Sequence, residues 1–347
     1  MINFRRTPNW RALKYFFLGI LSIFLFHLDF VYAAEMEAAP SSSHPPSLYN
    51  FDTSYGTNSE KTSQLSLGLG WIKNPFQFSG APFSWESEAQ YSYSIDVDYF
   101  EGKTSEREFQ GLRTFAAYWQ KLNANVFFQL GLGLHYLKGI ETTPVVAGQF
   151  GYRINPKTRL SARLSDDFAY SVGFQPGATR AALKRTVFEV SFQWDPLKIL
   201  KFPIKLKQAQ FSDTNRMSTV NLQAMGALLK RQHQVWLGGR YFYEGAKISS
   251  YTSNLGYFSP IKWTKFSLEV EASFKLAQNW SLNSNLAVGK AAQISNPSSR
   301  DYSADLGITY GSVSTQQINL LGSYRNYDRD VNKFEERKII ASWVRRF

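Results

Sequence analysis

Glu335-Glu336-Arg337-Lys338-Ile339-Ile340-Ala341-Ser342-Trp343-Val344-Arg345-Arg346-Phe347 ends the chain, and its two faces ask for different solvents. Side chains alternate sides along an extended strand. Ile339, Ala341, Trp343 and Phe347 therefore share one face, and Lys338, Ser342 and Arg346 the other. An ordinary edge strand accounts for that pattern, and so does a strand with lipid on one side and water on the other. The final aromatic separates the two readings: a soluble terminus usually frays, whereas a strand ending at a lipid interface gains from an aromatic ring there.

The start of the chain agrees with its end. Arg5, Arg6, Arg11 and Lys14 precede an apolar run over residues 15–26, and Val31-Tyr32-Ala33-Ala34 supplies the small residues of a signal-peptidase site. His27 and Asp29 interrupt the run before it reaches the ~18 to 20 apolar residues of a helical span. The expected organisation is a cleaved signal peptide over 1–33, a disordered Pro/Ser-rich tether over 34–47 (AEMEAAPSSSHPPS), and one β domain over 48–347. No later apolar run is long enough for a membrane helix, so residence in a bilayer requires a closed barrel, the only other way to satisfy backbone polar groups there.

Two stretches show the alternation best. Trp85, Ser87, Ala89, Tyr91, Tyr93, Ile95 and Val97 oppose Glu86, Glu88, Gln90, Ser92, Ser94 and Asp96. Phe266, Leu268, Val270, Ala272, Phe274 and Leu276 oppose Lys265, Ser267, Glu269, Glu271, Ser273 and Lys275, a polar face too charged for a protein core. Reading every run this way gives about sixteen strands, including one at 83–97 and one at 107–118, and hence an all-β, transmembrane antiparallel barrel. An even count places both chain ends in the periplasm. The connections there should be short, as at Asn155-Pro156-Lys157 and Leu276-Ala277-Gln278-Asn279, and the outer ones longer, as at 171–181 and 247–261. Residues 74–82, with two prolines, are too long for the short side.

With this pattern established, the last strand resembles the C-terminal signal strand of bacterial outer-membrane β-barrels, with Arg345 as a departure on the apolar side. The resemblance implies the outer membrane of a Gram-negative bacterium, outer-membrane lipid as solvent, and recognition by the barrel-assembly machinery through the strand ending in Phe347.

Composition narrows the function. The formal charge is +12, and removing residues 1–33, with four basic residues and one acidic one, leaves +9. A basic balance raises nucleic-acid binding, yet no basic helix, zinc spacing or RNA-binding motif appears. Cysteine is absent, so an exported chain takes no stability from disulfides. Neither a metal site nor a cofactor is expected: of the four histidines, His27 and His44 lie in the signal and the tether. His135 alternates with Gln129, Gly131 and Gly133 and faces the lumen, away from lipid, which disfavours a Ser/His lipid hydrolase; no enzyme is expected. Glu86/Glu88 and Glu269/Glu271 have a glycosidase-like spacing of about 6.5 to 7 Å along a strand, but lumen charges opposed by basic neighbours explain them as well.

The expected pore lining is Glu86, Glu88, Asp96, Arg153, Arg159, Arg163, Lys205, Lys207, Trp236, Arg240, Lys265, Glu269, Glu271, Asp305, Arg325 and Lys338. Opposed arcs of charge set solute selectivity. Trp236 and Phe242 on that face suit either stacking on sugar rings or packing against a plug loop.

Gly256-Tyr257-Phe258-Ser259-Pro260, followed by a strand and then Gln278-Asn279-Trp280-Ser281-Leu282, resembles the C-terminal barrels of exopolysaccharide-export porins of the cellulose and poly-N-acetylglucosamine type. Those barrels follow a helical TPR array, whereas only the tether precedes this one. The resemblance implies an export conduit working with a periplasmic or inner-membrane synthesis complex, with the Gly256 to Pro260 loop at the outer mouth. A general or solute-specific diffusion porin is the alternative.

Overall fold

The computed structural model describes residues 47–58, 63–73, 90–103, 108–138, 142–168, 183–230, 233–248, 262–293, 299–312, 316–329 and 332–346. The strands among them are β1 (Ser47–Asn58), β2 (Ser63–Lys73), β3 (Tyr91–Lys103), β4 (Glu108–Asn123), β5 (Val126–Leu137) and β6 (Thr143–Asn155). Then come β7 (Thr158–Phe168), β8 (Lys184–Leu197), β9 (Leu200–Phe211), β10 (Arg216–Lys230) and β11 (Gln234–Ala246). The series ends with β12 (Trp263–Ala277), β13 (Trp280–Gln293), β14 (Ser299–Ser312), β15 (Gln316–Arg329) and β16 (Asn332–Arg346).

Each strand pairs antiparallel with its sequence neighbours, and β16 pairs with β1, setting Trp343 opposite Phe51 and Ile339 opposite Tyr55. Closure leaves no strand edge for lipid to meet. The outward face settles the solvent. Leu132 is 67% exposed and Leu268 72%, values that would be aggregation hazards in water and are natural against acyl chains. Outward aromatics pair across strands near one end, Trp71 with Tyr93, Trp194 with Phe202 and Trp280 with Tyr310 at ring separations of 5.4, 5.3 and 4.8 Å. They form an interfacial girdle.

At that end, where β1 begins and β16 stops, several connections are two-residue turns. Asn123 and Asn155 fix two of them, each side-chain oxygen accepting a backbone N–H two residues on, at 2.8 and 2.9 Å. Short turns mark the periplasmic side of such barrels, so the opposite, loop end faces outward.

The third strand differs from its sequence reading. Within the described residues it runs from Tyr91, after a bend at Gln90, to Lys103 rather than ending at Val97, and positions 83–89 lie outside the described residues. The polar/apolar alternation fails after Asp98 because Phe100 is apolar and points inward. Likewise β4 continues to Asn123, because Trp119 and Phe115 are inward aromatics that blur the pattern.

Candidate channel lumen

The outward face fixes the inward one, since the registers align side chains strand by strand. Asp96, Arg153, Arg159, Arg163, Lys205, Lys207, Trp236, Arg240, Lys265, Glu269, Glu271, Asp305, Arg325 and Lys338 all fall on the inward face. Glu86, Glu88 and the stretch from Gly256 to Pro260 lie outside the described residues, as does Phe347. Arg345 is on the outward side of β16, beside Tyr49.

Apolar side chains fill the inward wall of β3 to β5 and, towards the loop end, that of β7 to β10. The Phe100 ring abuts Gly111, the Phe115 ring Gly131 and the Phe127 ring Gly151, each in the space that a Cβ would need. Towards the loop end Phe100, Phe109, Leu137, Phe168, Phe211 and Met217 belong to one buried apolar cluster. Set into it is an ionic network that the sequence reading did not assemble. The Asp167 carboxylate meets the His135 Nδ1 at 2.8 Å and the Arg113 Nε at 3.0 Å, and Arg113 also reaches Asp98 at 3.2 Å. His135 is fully buried, with the rings of Phe100 and Phe168 edge-on at 5.1 and 4.9 Å. His135 links β5 to β3 and β7, and the Asp167–Arg113 pair adds β4.

The wall of β11 to β16 is wetter. Inward Asn283, Asn285, Asp305, Asn319, Ser323 and Ser342 keep partial exposure, and several bond to one another: Ser273 with Asn283 at 2.7 Å, Asn283 to Thr309 at 3.3 Å and Asn319 to Ser342 at 3.1 Å. Higher on this side Glu269 is buried and fully engaged. It accepts from Gln223 at 2.6 Å and pairs with the Arg240 Nε at 2.9 Å. Glu271 pairs with Lys201, which reaches it from β9 and lies 4.7 Å from the Trp236 ring centroid. The two glutamates are thus neutralised by cations, as lumen charges would be, and one face of Trp236 is covered. Phe242 packs edge-on against Trp263 at 5.4 Å. Lys265 pairs with Asp301.

Arg113, Lys201 and Gln223 were missed as lumen residues. The same alternation that located their neighbours also places these three. What no alternation supplies is that Lys201 meets a carboxylate three strands away.

Charge is distributed unevenly. On β6 to β9 the described inward residues include seven cations, Arg153, Arg159, Arg163, Arg185, Lys201, Lys205 and Lys207, against Asp167, Glu189 and Asp195. On β1 to β3 they include Asp52, Asp96 and Asp98 and no cation. Among the described residues no group of three or more His, Cys, Asp and Glu side chains is placed to hold a metal ion.

No protein-family model and no curated protein match the sequence. Solved structures do. One described as a bacterial polysaccharide outer membrane secretin superposes with a TM-score of 0.73 at 14% identity, covering 88% of this chain and 100% of that one. CdiB from Acinetobacter baumannii follows at 0.49 and 10% identity, covering 85% of this chain and 60% of that one. OpdQ of Pseudomonas aeruginosa gives 0.44 at 8% identity, covering 88% and 100%. At such identities the likeness concerns the fold. Sixteen strands closed on themselves, an apolar outer band and a charged interior make this chain an outer-membrane β-barrel of a Gram-negative bacterium.

Proposed function

We propose that the barrel is a conduit for polysaccharide leaving the cell. The observation that carries this reading is the filled inward wall towards the loop end, where Phe100, Phe109, Leu137, Phe168, Phe211 and Met217 are buried. A diffusion porin depends on a wet cross-section, and here one side of the lumen is given over to packing. The remaining wall offers amides, hydroxyls and carboxylates from Asn283, Asn285, Asp305, Asn319 and Ser342, partners suited to the many hydroxyls of an extended sugar chain. The likeness in fold to the polysaccharide outer membrane secretin supports the same reading. The driving force would come from a synthesis complex on the periplasmic or inner-membrane side. Folding and outer-membrane insertion would proceed through the assembly machinery that reads the last strand.

Planar-bilayer recording tests it. The purified wild type should pass small ions poorly, and its residual current should be blocked by polysaccharide from one side. Deleting the gene should remove one surface polymer from the cell. A steady, open-porin conductance indifferent to polysaccharide would replace this reading with that of a diffusion porin.

A further inference from the structure

On the lipid side, the outward residues of β9 to β13 leave a groove of about 930 Å³. It forms where small Ala224 and Gly239 sit among large Leu222, Phe266, Leu268 and Val288. A Cβ added at Gly239 would meet nothing closer than the Ser267 carbonyl oxygen at 3.7 Å, so the dent is open space and no close backbone approach demands the glycine.

The rim of this groove towards the loop end carries Lys290 and Arg300, directly opposite each other across β13 and β14 and both exposed. Among the described residues neither side chain has a hydrogen bond or an ion pair. Like charges facing across a strand pair repel. A cation on the lipid face is also costly unless it stands at an interface. Its height can be read along the strand. Trp280 marks the periplasmic girdle, and Lys290 lies ten residues up β13. At ~3.4 Å per residue and a tilt of ~40°, the climb is about 26 Å, the height of the apolar band. The two cations therefore stand level with the outer headgroups, and the groove descends from them into the acyl region.

We propose that this site holds a phosphorylated, acylated glycolipid of the outer leaflet, its phosphate bridging Lys290 and Arg300 and one acyl chain lying over Gly239. A phosphate accepts from both cations at once, which converts their repulsion into a shared charge-assisted contact. The groove gives the chain a place that a flat barrel wall lacks. This site is independent of what passes through the lumen.

The test uses the purified full-length barrel in detergent, with native mass spectrometry as the readout. Three probes are compared: bisphosphorylated lipid A, lipid A stripped of phosphate, and inorganic phosphate. The wild type should retain the phosphorylated lipid, and the double variant Lys290→Gln/Arg300→Gln should retain it about ten-fold less. Gly239→Leu, which fills the groove and leaves the cations in place, should lower retention comparably. Heat-modifiable migration checks that each variant is folded, and if the double variant fails to assemble, Gly239→Leu and Ala224→Leu carry the test. Equal retention of the dephosphorylated lipid, wild-type retention by the folded variants, or competition by inorganic phosphate at the lipid's own concentration would each overturn the proposal.

Discussion

The packed inward wall, β3 to β5 with the loop end of β7 to β10, and the wall of β11 to β16 obey the same alternation and do opposite work. In the first, the inward positions hold aromatics pressed onto glycines and a His135–Asp167–Arg113 network sealed among phenylalanines. In the second, they hold asparagines, serines and carboxylates with partial exposure. The outward face carries exposed large apolar side chains on both. A barrel wall thus has one obligatory face, the one lipid sees, and one free face that can be spent either on packing or on a wet path.

Removing a buried carboxylate should expose that contrast most strongly. Asp167→Ala takes the carboxylate from the fully buried His135 and leaves Arg113 with Asp98, and breaking a buried pair costs about 3 to 5 kcal/mol. Asp305→Ala on the wet wall removes a carboxylate whose partner is the Ser323 hydroxyl, and it should cost no more than about 1 kcal/mol. Denaturant-dependent loss of the compact electrophoretic form measures both. Equal destabilisation would mean that the two walls are not different environments.

Glycines test the packed wall against an open position elsewhere in the barrel. Gly111 lies under the ring of Phe100, so Gly111→Ala should cost about 1 to 3 kcal/mol through overpacking. Gly56, inward on β1 beside Lys338, has its nearest neighbour at 3.4 Å and should accept alanine with little change. A tolerant Gly111 would show that this wall is loosely packed.

The same division explains what could be read from the sequence. Strand number and lipid face were legible because Leu130, Leu132 and Leu134, or Phe266 and Leu268, repeat at period two wherever lipid lies outside. Boundaries slipped on β3 and β4, where Phe100, Phe115 and Trp119 put apolar residues on the inner face and erased the contrast. Parity likewise assigned most lumen charges to their face. It said nothing of partners, because Asp167 on β7 meets Arg113 on β4, and Lys201 on β9 meets Glu271 on β12, only after the ring closes and the strands stagger.

A smaller effect should appear in ion selectivity. Arg159, Arg163 and Lys205 climb the inward side of β7 and β9, and among the described residues none has a hydrogen bond or ion pair. Residual current through the wild type should favour anions. Replacing all three with glutamine should move the reversal potential in a salt gradient towards cation preference, while Asp52→Asn/Asp96→Asn on the opposing arc should move it the other way. Identical shifts from both sets would show that these walls do not face the permeating ion.

The smallest expected change in stability, and the sharpest probe of the wet wall, concerns Lys201. Its ammonium sits over Trp236 and pairs with Glu271, with both charged side chains partly exposed at 24% and 32%. A partly solvated pair of this kind contributes roughly 0 to 1 kcal/mol, and the cation–ring contact about as little. Lys201→Gln should therefore leave the unfolding transition almost unmoved. It should, however, uncover the indole face that the lysine occupies, giving a sugar ring a flat apolar surface beside the Glu271 carboxylate as hydrogen-bond acceptor. Block of the bilayer current by a neutral glucan should then strengthen relative to wild type, and adding Trp236→Ala should abolish the gain. A stronger block that persists without Trp236 would place the sugar contact elsewhere on the wall, and no change in either variant would remove this stretch of β11 from the path of the polymer.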